Sequence, residues 1–257
     1  MALPSNEMIS WLFETYSWLL SNLGGFDAFK KTKLVTPTPE HFPIRKSHDP
    51  ELAEKLFEIV RAHAGMQNWP CKLQAHDGGR VSHILSKHNM PHSSSEQSAA
   101  GTFSVSQDRA VIITYRHDQV NHPVSLIATF AHELSHYLLA TIPNEPPGGS
   151  DAIEPATDVG AVFMGFGIFQ ANSAFSFQQF SDGIMQGWSS SRLGYLGELE
   201  LSYALAIFVS LHQIDPDPVK RHLDTNPKAY FKSSIKDVAR SRPGELERLR
   251  LIEIHKG

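Results

Sequence analysis

The chain has 257 residues, 41% hydrophobic and 19% charged, with a formal net charge of -4. A chain of this length buries roughly 70–75% of its unfolded surface, so no disulfide or metal is needed to hold a core, and the acidic balance disfavours a nucleic-acid surface. Its lone cysteine, Cys71, excludes an internal disulfide framework and suits a reducing compartment. No basic residue precedes Lys30, so the charged start of an export signal is missing. No apolar run reaches the ~18 residues of a membrane span; the longest, Val159 to Phe169, stops at Gln170. The expectation is a soluble, cytoplasmic protein with no membrane span.

In chain order, residues 6–22 place Ile9, Leu12, Phe13, Tyr16, Leu19 and Leu20 at helical spacing, which predicts a helix packed on the core. Gly24-Gly25 ends it. Residues 36–50 hold four prolines and read as a connector. A helix follows near 51–64, then short strands at 71–76 and 80–85 and a polar loop at 86–100. Thr102–Ser106 and Ala110–Tyr115 read as a hairpin around Gln107-Asp108-Arg109. Its second strand is expected at or near the sheet edge beside the next helix. That helix starts near Asn121 and Pro123 and runs to about Thr141. Residues 142–151, IPNEPPGGSD, form a turn, and another helix spans about 154–172. Residues 173–195 are mixed and glycine-punctuated, and 197–213 is helical. The tail from 216 carries ten Lys/Arg against six Asp/Glu, which reads as amphipathic helices with a solvated basic face.

The stretch AHELSH puts His132 and His136 four residues apart, hence on one helical face. That is the separation of two ligands of one tetrahedral metal, and Glu133 lies beside them as a candidate general base. A third ligand is required. An extended motif with a third histidine needs glycine at 139 and histidine at 142, where Leu139 and Ile142 stand. The remaining candidates are Glu145, Asp151, Glu154 and Asp158. Glu154 and Asp158 form Glu-x-x-x-Asp across the turn, so a returning helix brings Glu154 to the metal. Pro155 is tolerated there because first-turn amides need no intrahelical partner. Asp158, one turn on, can accept a hydrogen bond from the far nitrogen of a ligand histidine. The competing reading of Glu154 is a capping box with Asp151. On the second helix Ala156, Gly160 and Gly167 share one face and Ala161 and Gly165 another, which predicts a close helix contact.

With these residues the chain resembles the zincin metallopeptidases of gluzincin type, on His132, Glu133, His136, Glu154 and Asp158 over about residues 101–172. It is also similar to the phage-repressor-cleaving metalloproteases. The resemblance implies an α+β fold with a small mixed or antiparallel sheet packed on the active-site helices. It also implies Zn2+ held by His132, His136 and Glu154, and hydrolysis of a peptide substrate by a zinc-bound water that Glu133 activates. The whole chain then forms one metallohydrolase domain: 1–48 an N-terminal helical arm and connector, 49–214 the zincin core, and 215–257 C-terminal helices. Two departures are Ile153 where thermolysin-like enzymes carry asparagine, and the missing aminopeptidase Gly-x-Met-x-Asn motif. Tyr195 and Tyr203 are candidate donors to the oxyanion, although the helical spacing of Tyr203 with Leu199 and Ile207 equally suits a core residue. His88 and His92 flank Pro91 and read as a loop pair. A non-catalytic metal-binding regulatory protein and a metal-free helical interaction protein are the alternatives.

Overall fold

The computed structural model describes residues 2–44, 51–76, 101–105, 111–181 and 195–253, with the backbone alone for 101–105 and 175–181. The expected strand at 80–85, the loop at 86–100 with His88 and His92, and the hairpin connector at 107–109 lie outside them.

Helix α1 (Asn6–Asn22) starts where Ser5 Oγ accepts from the Met8 amide at 3.1 Å. Its buried residues include Ile9, Leu12, Phe13, Tyr16, Leu19 and Leu20, the set the periodicity selects. Gly24, at φ +101°, turns the chain into the short α2 (Gly25–Phe29). α3 (Glu51–His63) buries Leu52, Ala53, Leu56, Phe57 and Val60.

Three strands form one sheet in the order β1 (Cys71–His76), β3 (Val111–Arg116), β2 (Gly101–Val105). β1 runs parallel to β3, from Cys71↔Val111 to His76↔Arg116, and β2 runs antiparallel to it, from Gly101↔Tyr115 to Val105↔Val111. With the helices around it, the architecture is α+β. The strand expected at the edge is therefore central: Ile112–Tyr115 are paired on both sides. Composition gives the reason. Val111, Ile113, Thr114 and Tyr115 are all buried, whereas β1 has no buried residue and alternates half-buried with exposed positions, as an edge strand does.

α4 (Pro123–Leu139) begins with proline at its first turn, where a missing N–H costs nothing. Leu126, Ile127, Phe130, Ala131 and Leu134 face the sheet and α3, with Phe130 edge-on to Phe57 and to Tyr115. The chain returns as α5 (Ile153–Ala161), passes a kink at Val162–Phe166 and continues as α6 (Gly167–Ser181). α7 (Glu198–Leu211), α8 (Pro216–Lys220), α9 (Thr225–Ser241) and α10 (Pro243–Arg250) complete the described chain.

Two apolar clusters result. One joins the sheet, α3, α4 and Phe166 and Phe169. The other joins α1, α7, α9 and α10 with Val159, Val162 and Ile168. The α5–α6 segment contributes to both and is the wall between them. By length and composition, Gly149–Ala174 could cross a membrane, but 89% of its most apolar window is buried within the protein.

The expected faces of small residues need correction. Gly160 packs on α4, where a Cβ would overlap Ser135 Oγ and lie 3.0 Å from Leu139 Cδ1. Gly167 instead meets Leu205 of α7. Gly165 is no helix-contact residue: its φ of +97° makes the kink, and its carbonyl accepts from the Val35 amide at 2.9 Å. A turn of the chain between Gly160 and Gly167 separates faces that straight-helix periodicity unites.

Gly165→Ala is expected to lower stability by at least ~2 kcal/mol, because a left-handed alanine is strained and its methyl overlaps the Lys33 carbonyl. Urea denaturation should show a lower midpoint with unchanged slope; a midpoint equal to wild type would mean that the kink relaxes freely.

Candidate metal centre

The apolar residues that seat α4 on the sheet leave His132 and His136 on another of its faces. Their rings lie 4.7 Å apart at 82°. Glu133 sits beside them, 5% exposed. After α4 the chain reverses through Gly148 (φ +93°), and Trp11 of α1 ties down that turn by donating its indole N–H to Pro147 O at 2.8 Å. α5 then lies directly against α4: Gly160 admits Ser135, whose Oγ donates to Thr157 O at 2.8 Å. No side chain caps the start of α5, and Asp151 belongs to the preceding turn, so the capping box with Glu154 does not form.

This approach brings three ligand atoms together. Glu154 Oε2 stands 3.4 Å from His132 Nε2 and 3.4 Å from His136 Nε2, and all three fall within 4.8 Å of one another. Atoms bound tetrahedrally at ~2.0–2.1 Å from one zinc are ~3.3–3.4 Å apart, so the two carboxylate distances suit a shared ion better than direct hydrogen bonds. Glu154 is 45% exposed as a side chain, yet its Oε2 is sealed from solvent with no hydrogen-bond partner among the described residues. A buried carboxylate oxygen facing two ring nitrogens is a donor set that could hold a metal ion.

The surroundings orient these donors. His132 Nδ1 lies 2.9 Å from Asp158 Oδ1. The other oxygen of Asp158 accepts from the Leu196 amide at 2.8 Å, which fixes the segment before α7. Tyr195 is thereby held with its ring 5.3 Å from that of His132. Thr157 Oγ1 lies 3.2 Å from His136 Nδ1 and donates to Ile153 O at 2.8 Å.

Charge balance follows from burial against close neighbours. Burial drives the Glu133 carboxyl above its ordinary range, with His132 and His136 opposing and Glu154 adding to the rise. For Glu154 the burial of its oxygen acts upward, but His136 and His132 outweigh it and hold the group well below the usual carboxylate range. Burial would lower His132, but the neighbouring carboxylates of Asp158, Glu154 and Glu133 outweigh it and hold the ring well above its ordinary value. Burial, then Glu154, Glu133 and Asp158, raise the Tyr195 phenol, which stays protonated as a donor.

Of the residues singled out in the sequence, His132, Glu133, His136, Glu154, Asp158 and Tyr195 come together. Tyr203 does not join them. It is fully buried among the terminal helices, and its hydroxyl donates to Asp237 of α9 at 2.7 Å. The structure thus places its hydroxyl on Asp237 and not among the site residues, and its spacing with Leu199 and Ile207 already suited a core position. Thr157 is the residue that sequence reasoning missed. Its signal was adjacency to Asp158, since neighbouring positions on α5 can reach two histidines a turn apart on α4.

Comparison of the chain with family models, with curated proteins and with solved structures returns no match.

Protein purified without chelators is expected to carry about one divalent metal ion per chain by mass spectrometry. His132→Ala and Glu154→Ala should each lose most of it, and Asp151→Ala should keep it. Full retention in Glu154→Ala would remove Glu154 from the ligand set.

Proposed function

We propose that the protein is a zinc-dependent metallohydrolase of zincin-like fold, acting as a peptidase. The observation that carries this reading is the convergence of His132 Nε2, His136 Nε2 and Glu154 Oε2 beside the buried carboxylate of Glu133. A bound zinc would supply Lewis acidity, polarising a substrate carbonyl and lowering the pKa of a water. Among the described residues three protein groups converge, the number of catalytic zinc sites, whereas structural sites have four, which supports the enzyme over a metal-holding regulatory protein.

Glu133 is the proton carrier in this proposal. Its burial raises its basicity toward neutral pH while the two histidines keep it ionisable. It is adjacent to a ligand without belonging to the ligand set, so it can take a proton from the attacking water and pass it to the leaving amine. Tyr195, held protonated beside His132, is the proposed donor to negative charge developing on the carbonyl oxygen. For the peptide, β2 offers the pairing edge: among the described residues it pairs only with β3, and α4 packs against it. That role passes to β2 because β3 is paired on both sides.

Glu133→Gln preserves size and hydrogen bonding but cannot carry the proton. Its turnover on a substrate found by peptide-library screening is expected to fall at least ~100-fold. Zinc content and melting temperature, measured on the same preparations, should match wild type. Equal turnover of variant and wild type, with zinc bound normally by both, would reject Glu133 as the base.

A further inference from the structure

The two ligand histidines are oriented by adjacent residues of α5, but by different chemistry. Asp158 offers His132 a carboxylate oxygen at 2.9 Å. At Nδ1 His136 meets the hydroxyl of Thr157, and counting hydrogens decides what that hydroxyl does. A threonine side chain has one hydrogen to give. The 2.8 Å contact from Thr157 Oγ1 to the carbonyl of Ile153 uses it, because a carbonyl oxygen can only accept. Toward His136 Nδ1, at 3.2 Å, the hydroxyl is then left with lone pairs alone. The ring hydrogen of a neutral His136 must sit on Nδ1, and Nε2 presents its lone pair toward Glu154 Oε2, 3.4 Å away.

Resting on the metal reading above, we infer that Thr157 is a positioning residue that fixes His136 as its Nδ1–H tautomer and aims Nε2 at the ion. Nothing at Thr157 is free to rotate away from this task. The residue is fully buried, its hydroxyl is tied to Ile153, and its carbonyl accepts from Ser135 of the ligand helix. The choice of a hydroxyl also has an electrostatic reason. Glu133, Glu154 and Asp158 already place three carboxylates around the site, one negative charge more than a divalent ion neutralises, and a fourth at position 157 would widen that excess. Threonine sets the tautomer without adding charge.

The test compares Thr157→Val, which keeps the shape and removes the acceptor, with Thr157→Ser, which keeps the hydroxyl. Zinc affinity would be measured on full-length protein by competition with a chromophoric chelator, beside the melting temperature of the metal-free form. The expected result is a ~10–100-fold loss of affinity in Thr157→Val and near-wild-type affinity in Thr157→Ser. A purely structural threonine would lower the metal-free melting temperature in Thr157→Val and leave zinc affinity unchanged, and that outcome overturns the inference. Long-range 1H–15N correlation of the zinc-loaded wild type reads the tautomer without any variant: His136 protonated on Nδ1 supports it, and protonation on Nε2 overturns it. Wild type that binds no zinc overturns the metal reading itself, a failure distinct from an unchanged Thr157→Val affinity.

Discussion

Everything at the candidate site depends on how closely α5 lies against α4. The absence of a side chain at Gly160 lets Ser135 enter, and the Ser135 hydroxyl then bonds the α5 backbone at Thr157. That single seam sets the distance between a helix carrying two imidazoles and a helix carrying a carboxylate. Separated by one more methyl group, the lone pairs of His132, His136 and Glu154 would not reach a common point. Polar donors buried this near to one another repel unless a cation or protons lie between them, so the seam also depends on apolar packing. Phe130, Leu126 and Leu134 supply it on the α4 side, and Val159 on the α5 side.

The remaining elements hold that seam from a distance. Trp11 of the first helix reaches across to the reversing turn, so a segment that reads as an N-terminal arm also sets where α5 begins. Tyr16 of the same helix donates to Ala204 O, locking α1 to α7. The Leu196 amide closes the other side by bonding Asp158. The carboxylate of Asp158 thus orients the His132 ring and anchors the loop that carries Tyr195, two tasks that one side chain can share because each of its oxygens serves one.

Local chemistry made much of this legible in the sequence. The buried face of α1, the start of α4 at Pro123, and the shared face of His132 and His136 follow from helical spacing and first-turn proline, which act over a few residues, whereas Glu154 was reached only across the reversing turn. Sheet order was not legible, since which strand lies in the middle depends on what packs on both faces of Val111–Arg116. The kink at Gly165 was missed for a related reason. A glycine in an apolar run reads equally well as a close packer or as a residue with positive φ, and only the approach of the Lys33–Val35 backbone distinguishes them. Tyr195 and Tyr203 stood on equal terms in the sequence; the partner that separates them, Asp237, is 34 residues from Tyr203. Thr157 was invisible because its role lies in the direction of one hydrogen.

The placement of α5 as the wall between two apolar clusters has a thermodynamic consequence. An ion gripped between α4 and α5 would be a ligand of the folded state alone, because the unfolded chain holds His132, His136 and Glu154 in no fixed relation. Linkage then adds about 1.4 kcal/mol to folding for each tenfold rise in free ion above its dissociation constant. Since α5 lines both clusters, that increment would reach the sheet layer and the terminal helices together. Metal supply would then govern how long the chain survives as well as what it can do.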